Sequence, residues 1–293
     1  YSHQETEDAK SKAISCLEKA VNLPDPYPTH FAELDELYKS EGVSVEKRLA
    51  VLEKNEETVM KKDEAIGALV NLKNFAGKTD EAIAILNSRI FSIWEGGSAF
   101  NTGDAWANAH LIRGINSFQN KNYQKALNDF NTALEPPENL RAERQVRNTI
   151  RIKYWIGCAY EALGEQAKAK QVWEEVVNTE LETNWRRRFD DTQAQNYFKT
   201  LAQKKLYPSA NVEEVFVELV NNQDEKETGE EDDLAYQFVR SRQNTLDARA
   251  YPHYLSGLGY LGLGNKSKAR DEFNAALEIS PDYIDAKIEL NSL

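Results

Sequence analysis

The chain has 293 residues, a formal net charge of −12, 41% hydrophobic residues, 8 prolines and 14 glycines. That much apolar content excludes disorder for most of its length, and the acidic balance argues against a phosphate-driven nucleic-acid partner or an anionic membrane surface. No window approaches 18 consecutive apolar residues, so no membrane-spanning helix is expected; Pro and Gly fall well below the roughly 12% of an ordinary chain, which favours helix over turns.

In chain order, Ala13, Leu17 and Ala20 recur at helical spacing before Pro24, so 1–28 reads as one amphipathic helix. Region 29–62 reads as additional helices: Phe31, Leu34, Leu37 and Tyr38 share one face, and Leu49, Val51 and Leu52 lie in a second helix after the turn Ser40 to Ser44. A helix pair is expected over 63–94, carrying Val70, Gly77, Ala82 and Leu86, followed by a glycine-bearing loop over 95–106. Two further pairs follow, one over 107–140 with Gly114, Tyr123, Ala126, Phe130 and Ala133, and one over 141–180 with Gly157, Tyr160, Gly164, Ala169, Trp173 and Val176. Region 181–222 reads as a degenerate pair whose apolar faces come from Phe198, Leu201, Ala202, Val215 and Leu219. The stretch QDEKETGEEDD over 223–233 has no apolar residue and reads as an acidic linker. Region 234–281 holds a helix and the most regular pair, and 282–293 a last helix with Tyr283, Ala286 and Leu290 on one side, expected to cap the array.

The regular pair reads AYPHYLSGLGYLGLGNKSKARDEFNAALEISP from Ala250 to Pro281. His253, Ser256, Gly257 and Tyr260 share one face of its first helix, and Ala269, Phe273 and Ala276 one face of its second. Small residues at Gly257 and Ala269 let the backbones approach, while Tyr260 and Phe273 fill the space beside them. Gly264 with Asn265 ends the first helix in a left-handed turn, and Pro281 stops the second. This pattern resembles the tetratricopeptide repeat (TPR) family, which implies an all-α fold: an irregular TPR-like α-solenoid, a superhelix of antiparallel helix pairs. The copy from Ile150 matches the same slots. The copy from Ala107 has Ser117 in the aromatic slot and Lys121 in the glycine slot, and the copy from Asp63 has Lys73 in the aromatic slot and Arg89 near its end. The small-residue slots are 44, 43 and 100 residues apart, against a TPR advance of about 34, so extra residues are expected between units. The N-terminal helix reads as the second half of a broken repeat, and the chain, which starts at Tyr1 without a visible signal peptide, is expected to begin inside a longer array.

The ordered segments ELDELYKSEGVSVEKRLAVLEKN, LNSRIFSIWEGG, ALEPPENL and IKYWIGCAYEALG are similar to the helical TPR C-terminal part of large bacterial proteins with an uncharacterised N-terminal β-rich, sugar-binding-like domain. The similarity covers Thr29 to Leu290. It implies an alternative role as the helical accessory domain of a larger bacterial carbohydrate-binding or carbohydrate-processing protein, in the cytoplasm or periplasm. Trp94, Trp106, Trp155 and Trp185 are the aromatics such a role would use.

Catalysis needs convergent nucleophile, base or metal ligands. The four histidines, His3, His30, His110 and His253, fall in no HExxH pattern, and no P-loop or GxSxG is present. No enzyme activity, cofactor or metal is expected. His110 and His253 occupy the same repeat slot and read as packing residues. Cys16 and Cys158 have no ligand spacing and read as small core residues. Trp94 and Glu95, followed by two glycines, form a loop that permits close approach to a ligand, although the glycines also serve simply to end a helix. The resemblance places the concave surface on the first helix of each pair, here Arg151, Tyr154, Cys158 and Glu161 in one unit and Tyr251, Tyr254, Leu258 and Leu261 in another. Aromatics with arginine suit an extended peptide or a partner helix. The family's basic clamp for a C-terminal carboxylate is absent, since its lysine slot holds Gly67, Leu111, Tyr154 and Tyr254. NWRRRF, with Arg186 and Arg187, offers a grip for an acidic group, internal ion pairing being preferred. The reading that follows is a non-catalytic protein–protein interaction scaffold, binding a peptide or a partner domain, including a preceding domain of the same protein, with no nucleic-acid partner.

Overall fold

A computed structural model describes residues 7–92, 100–142, 146, 148–181, 191–221 and 246–293. Among these the regular structure is helical throughout, with no strand. The chain forms two compact units, Tyr1–Ile112 with Glu135–Arg147, and Arg113–Leu134 with Asn148–Leu293.

The first unit contains α1 (Glu7–Val21), α2 (Thr29–Ser40), α3 (Val45–Lys54), α4 (Glu56–Val59), α5 (Asp63–Phe75), α6 (Thr79–Asn87), the beginning of α7 (Thr102–Gln119) and a 3-10 turn at Glu138–Leu140. α1 packs on α2, and α2 and α3 both pack on α5. Phe31, Leu34, Leu52, Ile66 and Leu69 are fully enclosed. The expected small residue of this unit is Val70, yet the close approach occurs three residues earlier: a Cβ on Gly67 would lie 2.5 Å from the Phe100 ring. Lys73, in the slot that elsewhere holds an aromatic, is buried with its ammonium 2.9 Å from Glu53 and 2.5 Å from Glu81. A lysine is tolerated there because two carboxylates replace the water it loses.

The second unit contains the end of α7, then α8 (Tyr123–Ala133), α9 (Thr149–Ala162), α10 (Gln166–Asn178), α11 (Thr192–Leu206), α12 (Glu213–Asn221), α13 (Leu246–Gly262), α14 (Lys266–Ile279) and α15 (Ile284–Ser292). Helices from α8 to α12 pack on their neighbours in the chain, as do those from α13 to α15, and α13 packs on α11 and α12. Three hairpins share one packing device. A Cβ on Gly114, Gly157 or Gly257 would lie 2.5, 2.2 or 2.3 Å from Phe130, Trp173 or Phe273 respectively, so each aromatic ring rests on bare backbone. The Trp173 indole also donates to the Tyr154 carbonyl at 3.3 Å. On its other side, α13 meets α12 through Gly262, where a Cβ would sit 2.4 Å from the Phe216 ring.

The first helices also end alike. The N–H of Gly164 donates to Glu161 and that of Glu165 to Tyr160, at 3.0 and 2.9 Å; Gly264 and Asn265 repeat the pair on Leu261 and Tyr260 at 3.0 and 2.8 Å. This is the Schellman arrangement, which requires a left-handed residue, and Gly164 and Gly264 have φ of +81° and +78°. Lys121 and Asn122 make the same pair of bonds to Phe118 and Ser117, with Lys121 at a φ of +60°, so the expected lysine-for-glycine departure preserves the turn at a conformational cost. Asn265 then caps α14, its side chain accepting the Lys268 N–H at 3.2 Å. The cysteines divide: Cys158 is buried as expected, whereas Cys16 is exposed, because it falls on the outer side of α1.

Candidate functional site

The first helices of the second unit present Arg151 and Tyr154 from α9, Tyr197 and Phe198 from α11, and Tyr251 and Tyr254 from α13. These faces are covered by the chain's own last helix. Arg151 is 2% exposed, and its Nη1 and Nη2 donate to Asp285 Oδ1 at 2.8 Å and Glu289 Oε1 at 2.5 Å. Asp285 and Glu289 are four residues apart and so lie on one side of α15. The guanidinium also sits 5.3 Å above the Phe198 ring, a stacking that arginine's planar, weakly hydrated head favours. Tyr254 meets Tyr283 edge to face at 5.7 Å, and Gln119 donates to the Asn291 carbonyl at 2.7 Å.

α15 packs on α14 and is largely enclosed. Of its nine residues only Asn291 is exposed. Ala286, Ile288 and Glu289 are buried. Enclosure of Ile288 contributes about 1.5–3 kcal/mol, and Leu290 with the flanking Tyr283 and Leu293 packs against the same core.

Electrostatics here are set by two carboxylates sharing one guanidinium. Burial works against the Arg151 charge, but Glu289 and Asp285 outweigh it and keep the group firmly protonated. Burial pushes the Glu289 carboxyl above its ordinary range; Arg151 opposes this and the neighbouring Asp285 adds to it. Burial likewise raises the phenols of Tyr197, Tyr254 and Tyr283, so all three stay neutral hydrogen-bonding and packing groups. Burial pushes the Cys158 thiol up to about 11, which leaves it unreactive at neutral pH.

The other sequence-derived candidates fall elsewhere. Trp94, Glu95, Trp185, Arg186 and Arg187 lie outside the described residues. Glu161 is half-buried and accepts from Lys205 at 2.5 Å, while Lys205 lies 5.4 Å over the Trp173 ring. Tyr251 and Tyr254 are buried 6.3 Å apart, and Tyr154 packs 6.1 Å from Phe198. Trp106 is buried, its ring 4.3 Å from that of His110, and Trp155 lies between Phe118 and Phe130, so both are engaged in packing. His253 pairs with Glu272 at 2.8 Å. Asp285, Glu289, Tyr197 and Phe198 were not legible as site residues; the available signal was an acidic pair at helical spacing in the last helix. Among the described residues no group of three His, Cys, Asp or Glu could hold a metal ion, and no helix is long and apolar enough to cross a membrane.

Two segments match models of the tetratricopeptide repeat, residues 153–179 and residues 250–283. They correspond to α9 with α10 and α13 with α14, the hairpins built on Gly157 and Gly257. With these matches and the helical content, the fold class is all-α and TPR-like. Repeats of this kind generally mediate protein–protein interaction.

Proposed function

We propose that this chain, with its tetratricopeptide-like hairpins, is a non-catalytic interaction scaffold that binds a peptide or partner helix on the first-helix faces of α9, α11 and α13. One observation carries the reading: those faces already hold a helix, gripped by the Arg151 fork and by tyrosine edges. A surface that buries a helix of this chain has the chemistry to bury one from another protein, because a fork of fixed donors and large rigid aromatics lose little entropy on binding.

The test is cross-linking of the full chain to proteins of its source extract, with the linked lysines mapped by mass spectrometry. A saturable partner linked through Lys153, Lys204 or Lys287, on α9, α11 and α15, is the expected outcome. Links scattered over both units without saturation, or turnover of a substrate by the purified chain, would overturn the scaffold reading.

A further inference from the structure

We infer that α15 is a resident occupant of a helix-receiving face, and that the external partner is an acidic helix with two carboxylates four residues apart which takes its place. This rests on the scaffold reading and adds the partner's chemistry and a means of control.

Three observations support it. First, recognition is concentrated at one group: both terminal nitrogens of Arg151 are engaged, each by a different carboxylate of α15, so the spacing of Asp285 and Glu289 is what the fork measures. Second, α15 does not exhaust the site. Arg151 Nε is buried with no hydrogen-bond partner, leaving one donor that a better-fitting side chain could satisfy. Third, α15 depends on its docking: nine residues are too few for a helix to persist alone in water, and the apolar side chains that seat it are Ala286 and Ile288, fully buried, with Leu290 partly so. The desolvation of a buried ion pair offsets much of its Coulombic gain, so the pair adds little net hold on α15.

The tether explains why such a site stays closed. A segment attached through the short turn after α14 competes at a local concentration on the order of millimolar, so a free helix must exceed that, and its apparent affinity falls with the fraction of open sites. Weakening the resident pair therefore opens the site to an outside helix.

The probe is a fluorescent peptide with the sequence of residues 281–293, titrated by anisotropy against the full chain. The doubly neutralised chain, Asp285→Asn with Glu289→Gln, should bind it at least tenfold more tightly than the unaltered chain does. A peptide carrying the same two neutral substitutions should lose that gain, as should the neutralised chain when Arg151→Lys is added. Equal binding by both chains, or by charged and neutral peptides, would overturn the inference, with circular dichroism confirming that the chains are folded. If the neutralised chain does not fold, hydrogen exchange on the unaltered chain decides: amides of α15 should exchange at least tenfold faster than those of α13, and exchange of both helices at one common rate overturns it. Peptide failure with partners still cross-linked to α9 and α11 removes this inference alone; failure of both experiments removes the scaffold reading as well.

Discussion

Each unit buries an arginine, and the two are used differently. Arg48, on α3, makes a two-pronged pair with Asp35 of the adjacent α2, at 2.8 Å through both Nε and Nη2. Arg151 divides its two terminal nitrogens between Asp285 and Glu289, which lie 134 and 138 residues further along the chain. The first is a local staple whose partner is supplied by the neighbouring helix as soon as the two pack. The second forms only when the second unit has brought α9 and its last helix together, so its partners come from a distant element of the chain. Equal burial therefore accompanies a local fastening in one case and a long-range one in the other.

The largest effect should come from removing the long-range arginine. Arg151→Ala leaves the Glu289 carboxylate, 5% exposed, without its guanidinium and should cost about 3–5 kcal/mol, read by urea unfolding. Arg48→Ala should cost less, because its partner Asp35, at 11% exposed, is less deeply buried than Glu289 at 5%. The reverse order would break the comparison. Cys158, buried on α9 beyond Arg151, offers a kinetic readout: thiol labelling should speed up in Arg151→Ala and stay unchanged in Arg48→Ala, with exposed Cys16 as the fast reference in both.

Next come the hairpins that frame the site. Gly157→Ala and Gly257→Ala each drive a methyl into an aromatic ring and should cost about 1–3 kcal/mol, measured by thermal unfolding. Gly164→Ala meets open space, so its cost should be limited to the left-handed backbone, about 1 kcal/mol. The converse change, Lys121→Gly, should stabilise by about 0.5–1 kcal/mol, since it relieves a positive φ without removing a contact the turn needs.

The smallest effect is one of pH. Glu289 holds its proton more tightly folded than unfolded, so its contribution is most favourable below its ordinary value of 4.5 and declines as pH rises from there through the folded-state value. The stability difference between the unaltered chain and Glu289→Gln should change across that window and be flat below it. A difference that is the same at every pH would show that burial does not shift this carboxyl.

Much of the hairpin architecture was legible residue by residue. Gly257 under Phe273, Gly157 under Trp173 and the left-handed Gly264 follow from spacing alone, because each is decided within one helix pair by the helical period and the absence of a Cβ. Lys121 could be recognised as a departure, although its tolerance could not. The same template misplaced the close approach in the first unit: Gly67, not Val70, lets a neighbour in, and the ring it admits is Phe100, which lies beyond the helix pair. Lys73 was legible as a missing aromatic but not as a buried cation, since Glu53 belongs to a different helix.

The candidate site divides in the same way. Arg151, Tyr154, Tyr251 and Tyr254 could be placed on the first-helix faces from repeat position. What covers them could not be read from the chain, because the face a helix presents follows from its local period, whereas its occupant depends on how small packing angles add up across several helices. By itself the sequence determined which residues form hairpins and which sides of the helices carry arginine and tyrosine, since those are short-range consequences of backbone geometry. Only the tertiary structure decided that the last helix lies within reach of Arg151. That choice is set by charge and shape complementarity between segments more than 130 residues apart, on which no local pattern bears.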